Sequence, residues 1–250
     1  MTVLKENERL DYLFFDRQLK IIQSCDTFAF SLDSVLLASF VHVPIRKGRL
    51  IDLCSGNGAV PLMLSTRTKG GLTGVEIQPS LHDMAVRSVA WNDLQDRIEL
   101  VCGDVRDAPE QFGYGNFDVV TCNPPYFSTD REASRSQNPA IAKARHEMAI
   151  TLEKIVSTAE QLLKQGGRAA FVYPAEKFLD LAGLLRCHRL EPKRLLWVYP
   201  REGKRANRVL IEGMKDGRPG AVIEEPLIVY NDQNEYTKGL RSYCDMSSIR

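Results

Sequence analysis

Short apolar runs alternate with segments of helical periodicity over most of the chain. The runs Leu50–Cys54, Leu72–Ile77, Ile98–Cys102 and Phe117–Cys122 each have the length and composition of a buried strand. Between them, Gln78–Leu94 carries apolar residues three and four positions apart, which predicts an amphipathic helix. Buried strands separated by helices predict an α/β fold with a mostly parallel, doubly wound sheet.

The same alternation continues after a polar segment, Ser128–Asn138, which has no periodicity and is interpreted as a loop. An amphipathic helix is predicted at Leu152–Leu163, ended by a glycine pair at 166–167. The further predicted elements are a fifth strand at Arg168–Val172, a helix at Phe178–Leu185 and two closing strands at Arg194–Tyr199 and Arg208–Met214. In such sheets, ligands bind at the carboxyl ends of the strands.

Composition changes this picture little. The chain has 250 residues, of which 44% are hydrophobic and 26% charged, as in soluble globular proteins. The first ten residues do not resemble a signal peptide, and no apolar run approaches the length of a membrane span, so a cytoplasmic protein without membrane contact is expected. The six cysteines have no metal-ligand spacing, so we expect reduced thiols and no bound metal.

The net charge of +1 conceals an asymmetry along the chain. Residues 131–218 contain 18 basic and 10 acidic residues, which leaves 15 basic and 22 acidic residues elsewhere. A basic region of this kind is typical of proteins that bind a polyanion such as nucleic acid, although charged runs are also ordinary solvated surfaces.

The turn after the first predicted strand has the sequence Asp52-Leu53-Cys54-Ser55-Gly56-Asn57-Gly58. Its glycines allow a ligand to approach the backbone. A dinucleotide fingerprint would have a third glycine where Pro61 stands, and the Asp52 carboxylate would repel a pyrophosphate. That carboxylate suits a ligand with an ammonium group, and S-adenosylmethionine has both an ammonium and a sulfonium.

Two more acidic residues follow the next two strands. Glu76 is placed to accept hydrogen bonds from ribose hydroxyls, and Asp104 from the adenine amine of the cofactor. Each acid could instead be a solvated strand-end residue or a helix cap. Three acids at three successive strand ends favour the cofactor. The predicted cofactor contacts are Asp52, Cys54, Ser55, Gly56, Asn57, Gly58, Glu76, Ile77, Asp104, Val105 and Asn123.

The most specific signal is Asn123-Pro124-Pro125-Tyr126, directly after the fourth strand. A conjugated amine is a poor nucleophile because its lone pair is delocalised. The Asn123 side-chain oxygen and the Pro124 carbonyl can each accept one of its protons, and the two prolines hold these acceptors rigidly. Tyr126 offers a face on which a planar substrate can stack. These four residues are the predicted catalytic motif, with a tight Pro-Pro turn as the structural alternative.

The cofactor pattern and this motif together resemble the class I methyltransferases. One departure is Cys54, where that family often has glycine. The four-residue motif is shared by enzymes that methylate adenine amines and by those that methylate glutamine amides. The glutamine enzymes also carry a helical N-terminal domain, for which the 49 residues before the first strand leave little room.

Further segments distinguish the two substrate classes. The chain is similar to the bacterial tRNA1(Val) adenine-37 N6-methyltransferase family at Asp26–Ala38, at Arg145-His146-Glu147, at Lys204–Leu210, and in the tail at Pro226–Tyr230 and Glu235–Thr237. The resemblance runs from about Arg9 to Tyr243. It implies a Rossmann-like sheet of seven strands with an antiparallel last strand, an N-terminal extension (1–49) covering the cofactor site, and a single methyltransferase domain (50–250).

The resemblance also implies the reaction: N6-methylation, with S-adenosyl-L-methionine, of an adenine in tRNA, next to the anticodon. Alternatives are another RNA base, a protein glutamine amide, or a non-catalytic RNA-binding module of the same fold. Neither the particular tRNA nor the oligomeric state follows from the sequence. Asp33 is expected either near the cofactor or as a helix N-cap. The predicted substrate-binding residues are Asp33, Arg131, Arg135, Arg145, His146, Lys204 and Arg205.

Overall fold

The computed structural model describes residues 4–13, 19–24, 30–125 and 151–245. The helices are α1 (Leu32–Phe40), α2 (Ala59–Leu64), α3 (Pro79–Trp91), α4 (Ala108–Phe112), α5 (Leu152–Leu162), α6 (Phe178–Cys187) and α7 (Lys238–Cys244). The strands are β1 (Glu8–Tyr12), β2 (Lys20–Ser24), β3 (Arg49–Leu53), β4 (Gly71–Glu76), β5 (Ile98–Cys102), β6 (Phe117–Cys122), β7 (Leu163–Pro174), β8 (Leu190–Tyr199), β9 (Arg208–Lys215), β10 (Val222–Ile223) and β11 (Leu227–Ile228).

The main sheet has the strand order β10-β8-β9-β7-β6-β3-β4-β5, with β11 also paired to β8. The pairs among β7, β6, β3, β4 and β5 are parallel, and β9 is antiparallel to both β7 and β8. The predicted Rossmann-like sheet of seven strands with an antiparallel last strand is therefore confirmed. Two additional two-residue strands, β10 and β11, extend its β8 edge and were not predicted.

Helices cover both faces of this sheet. Buried residues of α1 and α2 pack on one face, and those of α5 and α6 pack on the other. The strand order reverses between β3 and β6, because the chain builds the β4–β5 half first and the β7–β9 half afterwards. Such a reversal opens a crevice at the carboxyl ends of β3 and β6.

The transition from α5 to β7 differs from the prediction. The helix ends at Leu162 and the strand begins at once at Leu163, so the glycine pair at 166–167 lies inside β7 rather than after a helix end. The register between β6 and β7 shifts between Phe117 and Val119. Gly166 has a φ of +74°, a conformation open to glycine at little cost.

The N-terminal hairpin β1–β2 forms a separate two-stranded sheet. Ile22 of β2 packs with Leu81 and Met84 of α3 in a small apolar cluster, whereas Ile21 packs in the main core. Among the described residues, no helix combines the length and apolar character that crossing a bilayer requires.

Candidate active site

The predicted functional residues converge on one edge of the sheet. Cys54 to Gly58 follow β3, Glu76 ends β4, Asp104 lies two residues after β5, and Asn123 follows β6. These four strands are parallel neighbours in the order β6-β3-β4-β5, so their carboxyl ends meet. We call Cys54–Gly58 the donor turn.

The donor turn is built from left-handed residues. Cys54, Gly56 and Gly58 have φ angles of +59°, +58° and +84°. Ser55 donates its N–H to the Val75 carbonyl at 2.9 Å, which fastens the turn to β4. A side chain in this conformation costs on the order of 1–2 kcal/mol, which explains physically why glycine suits position 54.

Glu76 holds the turn from the side. Its buried carboxylate accepts the Gly56 N–H at 2.8 Å with one oxygen and the Gln78 N–H at 2.8 Å with the other. Each carboxylate oxygen has a second lone pair, so the group remains able to accept hydroxyl donors. Two charge-assisted backbone contacts therefore fix the orientation of an acceptor at the crevice.

Asp52 is almost completely buried beneath the turn, and the Thr121 hydroxyl donates to its Oδ1 at 2.6 Å. Burial raises the pKa of Asp52 to about 7, opposed by hydrogen bonds from Thr121 and Ser55 and reinforced by the nearby charge of Glu76. The Ser55 hydroxyl is also buried, and among the described residues no partner meets it with good hydrogen-bond geometry. A cationic ligand at this place would lower the pKa of Asp52 and compensate its burial.

Asn57 is directed toward the N-terminal hairpin. Its buried side-chain amide donates to the Ile22 carbonyl at 3.2 Å. Gly58 lies against α3, where an added Cβ would approach the Ala85 Cβ to 3.1 Å. These two residues connect the donor turn to its surroundings, and cofactor contact by either one stays a prediction.

Asp104 caps the short 3-10 turn Val105–Asp107. Its Oδ1 accepts the Arg106 N–H at 2.9 Å, and its Oδ2 accepts from the Arg106 guanidinium at 2.9 and 2.5 Å. The hydrogen bond from the Arg106 side chain is the main reason why the pKa of Asp104 is lowered. A methyl donor that forms a hydrogen bond to this carboxylate must share it with Arg106. Nearby, Ile77 is 41% exposed, whereas Val105 is buried.

Asn123 lies beside the donor turn. Leu53 of β3 and Cys122 of β6 are register partners. The residues that follow them, Cys54 and Asn123, therefore lie at the same level of the crevice. Asn123 is half-buried, Pro124 is buried and Pro125 is exposed. Tyr126, the last residue of the predicted motif, lies outside the described residues, as do Arg131, Arg135, Arg145 and His146.

Known proteins resemble the chain in both sequence and fold. The model of the methyltransferase small domain family matches residues 29–188. The chain belongs to this family. A tRNA1(Val) (adenine(37)-N6)-methyltransferase from Shewanella sp. (strain W3-18-1) is 31% identical over 73% of this chain and 75% of its own length. One with the same name from Porphyromonas gingivalis (strain W83) is 30% identical over 80% of both chains.

Among solved structures, a predicted O-methyltransferase from Agrobacterium tumefaciens superimposes with a TM-score of 0.67 at 23% identity. The match covers 86% of this chain and 96% of that chain. This likeness shows a shared fold. Membership of the methyltransferase small domain family identifies the chain as a methyltransferase, as the sequence analysis predicts.

In this methyltransferase, Lys204 and Arg205 lie in the β8–β9 loop, at the same edge of the sheet as the donor turn. Both are exposed, and neither side chain forms an ion pair with a described residue. In the part of the chain that the structure describes, no group of three or more His, Cys, Asp or Glu side chains is arranged to hold a metal ion.

Asp33 is not a helix cap, because the N-cap of α1 is Ser31. Its Oδ2 instead accepts from Arg208 Nε at 2.9 Å, at the start of β9. The prediction of an N-cap was wrong because a serine two residues earlier takes that position. The structure also reveals Thr121 and Gln23 as polar partners that the sequence does not single out. A polar residue inside an apolar strand was the available signal for both.

Proposed function

We propose that the chain transfers a methyl group from S-adenosylmethionine to the exocyclic amine of an adenine in tRNA. One observation carries this proposal: the register of β3 and β6 sets Asn123-Pro124-Pro125 beside the donor turn. Acceptors for an amine and a crevice for a methyl donor thus share one edge of the sheet. The predicted extension, residues 1–49, is proposed to cover the donor site, supported by the contact between Asn57 and Ile22.

The residues of the crevice fit this donor. Asp52 is a buried acid that an ammonium group would stabilise, Ser55 offers a buried hydroxyl, and Glu76 has lone pairs left for ribose hydroxyls. Asp104 is assigned to the adenine amine of the methyl donor, where it must also accept hydrogen bonds from Arg106. When bound, the sulfonium supplies an electrophilic methyl group.

The protein's own contribution is to prepare the acceptor nitrogen. The Asn123 side-chain oxygen accepts a hydrogen bond from one N–H of the amine, and the Pro124 carbonyl accepts one from the other N–H. These two hydrogen bonds turn the nitrogen lone pair toward the methyl donor. Both prolines restrict the backbone, so these acceptors need little reorganisation at reaction. Positioning then provides much of the rate, since the methyl group moves in line between two held partners.

The substrate class follows from the relatives, whose names specify tRNA and an adenine amine. Lys204 and Arg205, exposed at the same edge, are assigned to its phosphates. A nucleotide in an anticodon loop is already partly unstacked, so presenting its base costs less than extracting it from a duplex. A tRNA substrate also supports a cytoplasmic location.

The test supplies the purified protein with methyl-labelled donor and either a tRNA transcript or a release-factor protein. We expect label in the tRNA, recovered after digestion as N6-methyladenosine in nucleoside mass spectrometry. Label in a glutamine of the protein substrate, or in another nucleoside, would refute the assignment. Comparing tRNA from cells with and without the gene then locates the modified position.

A further inference from the structure

Three side-chain hydrogen bonds, linked by short stretches of backbone, connect the donor turn to the start of β9. β9 is three strands from β3 in the sheet, a separation of about 14 Å at the usual strand spacing. β2 lies against α3 at one end of this distance, and α1 contacts β7 and β9 at the other.

The series begins at the donor turn. The Asn57 amide donates to the Ile22 carbonyl, while the Ile22 N–H donates to the buried Ser88 hydroxyl of α3 at 2.8 Å. Both peptide groups of Ile22 are therefore fixed by the two elements that frame the donor crevice.

Gln23 makes the next connection. Its side chain is 5% exposed, its Oε1 accepts the Phe30 N–H at 3.0 Å, and its Nε2 donates to Asp11 Oδ2 at 2.5 Å. One buried amide thus joins the hairpin directly to the residue that leads into α1. A buried amide that forms hydrogen bonds at both ends has a fixed orientation, because fully satisfied buried polar groups rigidify their surroundings.

The start of β9 is connected to this series through α1. Asp33, in its first turn, accepts from Arg208 at 2.9 Å, and both side chains are largely shielded from solvent. Arg208 opens β9 directly after the loop that carries Lys204 and Arg205. The described contacts therefore run from Asn57 through Gln23 and Asp33 to the basic loop.

We infer that Gln23 is a positioning residue through which donor binding and RNA binding favour each other. This rests on the proposed function. Coupling between two ligands is reciprocal, so RNA must tighten the donor as much as the donor tightens RNA. It also requires a structural link that both ligands bias, and the hydrogen bond between Gln23 and Phe30 joins β2, on the donor side, to the start of α1, which contacts β9.

The experiment uses calorimetry with S-adenosylhomocysteine, which avoids turnover, in the presence and absence of saturating tRNA transcript. We expect tRNA to lower the Kd of the wild-type protein for S-adenosylhomocysteine by about fivefold or more. Gln23→Met keeps the volume but removes both hydrogen bonds, and should reduce this ratio to about one. Its Kd without RNA should change by less than about twofold.

Asn92→Ala is the matched control. Asn92 exchanges two hydrogen bonds with the backbone of Lys20, at 2.9 and 2.7 Å, so its loss also weakens the hairpin but lies outside the series. This variant should keep the coupling ratio. The double variant Gln23→Glu with Asp11→Asn reverses the polarity of the buried pair and should restore the ratio, even where Gln23→Met folds poorly.

Two results would overturn the inference: a wild-type ratio of one, or a ratio that survives in Gln23→Met. Loss of coupling in Asn92→Ala together with no rescue by the double variant would also overturn it, because general loosening of the hairpin would then explain the effect. A wild-type protein that binds neither S-adenosylhomocysteine nor tRNA would refute the proposed function itself, and the inference with it.

Discussion

The two halves of the sheet edge differ in whether their charged side chains are buried or exposed to solvent. On the β3–β5 side, Asp52 and Glu76 are buried and held by specific donors from Thr121 and the backbone. On the β7–β9 side, Lys204 and Arg205 stand in solvent. A small ligand gains affinity from a preorganised, buried site, whereas a large polyanion is bound through many exposed charges. Substitutions in each half should therefore affect one ligand and spare the other.

Asn123 lies between the halves and should give the largest effect. Asn123→Ala removes one proton acceptor at the reacting nitrogen, and we expect turnover to fall on the order of 10²–10³-fold, with little change in either affinity. Single-turnover rates at saturating donor measure this. Asn116→Ala is the control, since Asn116 precedes the opposite end of β6, where it bonds to Phe112. A loss below about tenfold would mean that Asn123 serves only the turn.

Charge reversal in the β8–β9 loop should weaken tRNA binding and spare donor binding. Lys204→Glu with Arg205→Glu should remove the two proposed phosphate contacts, so tRNA affinity should fall about 30-fold near 0.15 M salt, with a salt slope shallower by about two. Filter binding at several salt concentrations gives both numbers. The matched control is Lys193→Glu with Arg218→Glu, which makes the same change of net charge elsewhere. Equal losses in both double variants would reduce the effect to overall charge.

Acidification should weaken donor binding alone. The folded-state pKa of Asp52 is raised from 3.8 to about 7, so the ionised form that an ammonium requires is lost as pH falls below about 7. Donor affinity should therefore fall by about fivefold between pH 7 and pH 6. Calorimetry across this range measures it, and Asp52→Asn should abolish the dependence.

The stability of the donor-free protein depends on pH in the opposite direction to donor affinity. A carboxyl whose pKa is raised by folding stabilises the donor-free protein at low pH, and that contribution disappears as pH rises from about 4 to about 7. Asp52→Asn should flatten the corresponding part of the unfolding profile. Donor affinity that stays constant between pH 6 and pH 8 would contradict the assignment of Asp52.

The smallest effect is expected at Cys54. Glycine accepts a φ of +59° without strain, so Cys54→Gly should raise the free energy of unfolding by about 0.5–1 kcal/mol, after allowance for the greater freedom of the unfolded chain. Denaturant titration measures the change. A decrease would show that packing of the thiol outweighs backbone strain in the donor turn.

Much of the central sheet was predictable because most of its strands are short, mainly apolar runs. β5 and β6 begin and end at the predicted residues, since polar residues delimit each run. The hairpin was not predicted, because β1 has the sequence ERLDY and only its pairing with β2 makes it a strand. Likewise β10 and β11 are two residues each and exist through pairing with β8.

The candidate site was predictable in position but not in contacts. Strand ends could be located from periodicity, which placed Asp52, Glu76, Asp104 and Asn123 at one edge. The orientation of Asn57 toward Ile22 and the bond between Asp104 and Arg106 depend on side-chain packing, which spacing does not encode. The partner of Asp33 is 175 residues away in the sequence, so no local pattern could identify it.

That separation has a consequence for biosynthesis. Beyond Asp33, the other end of α1 is also fastened to β9, because the His42 N–H donates to the buried carboxylate of Glu212 across 170 residues. At usual translation rates, the ribosome needs on the order of 10–35 s to add that length of chain. During this interval α1, with its apolar face, has emerged while its anchoring strand has not been made. The nascent α1 therefore takes its final place only after β9 has been synthesised, and its apolar face needs other protection until then.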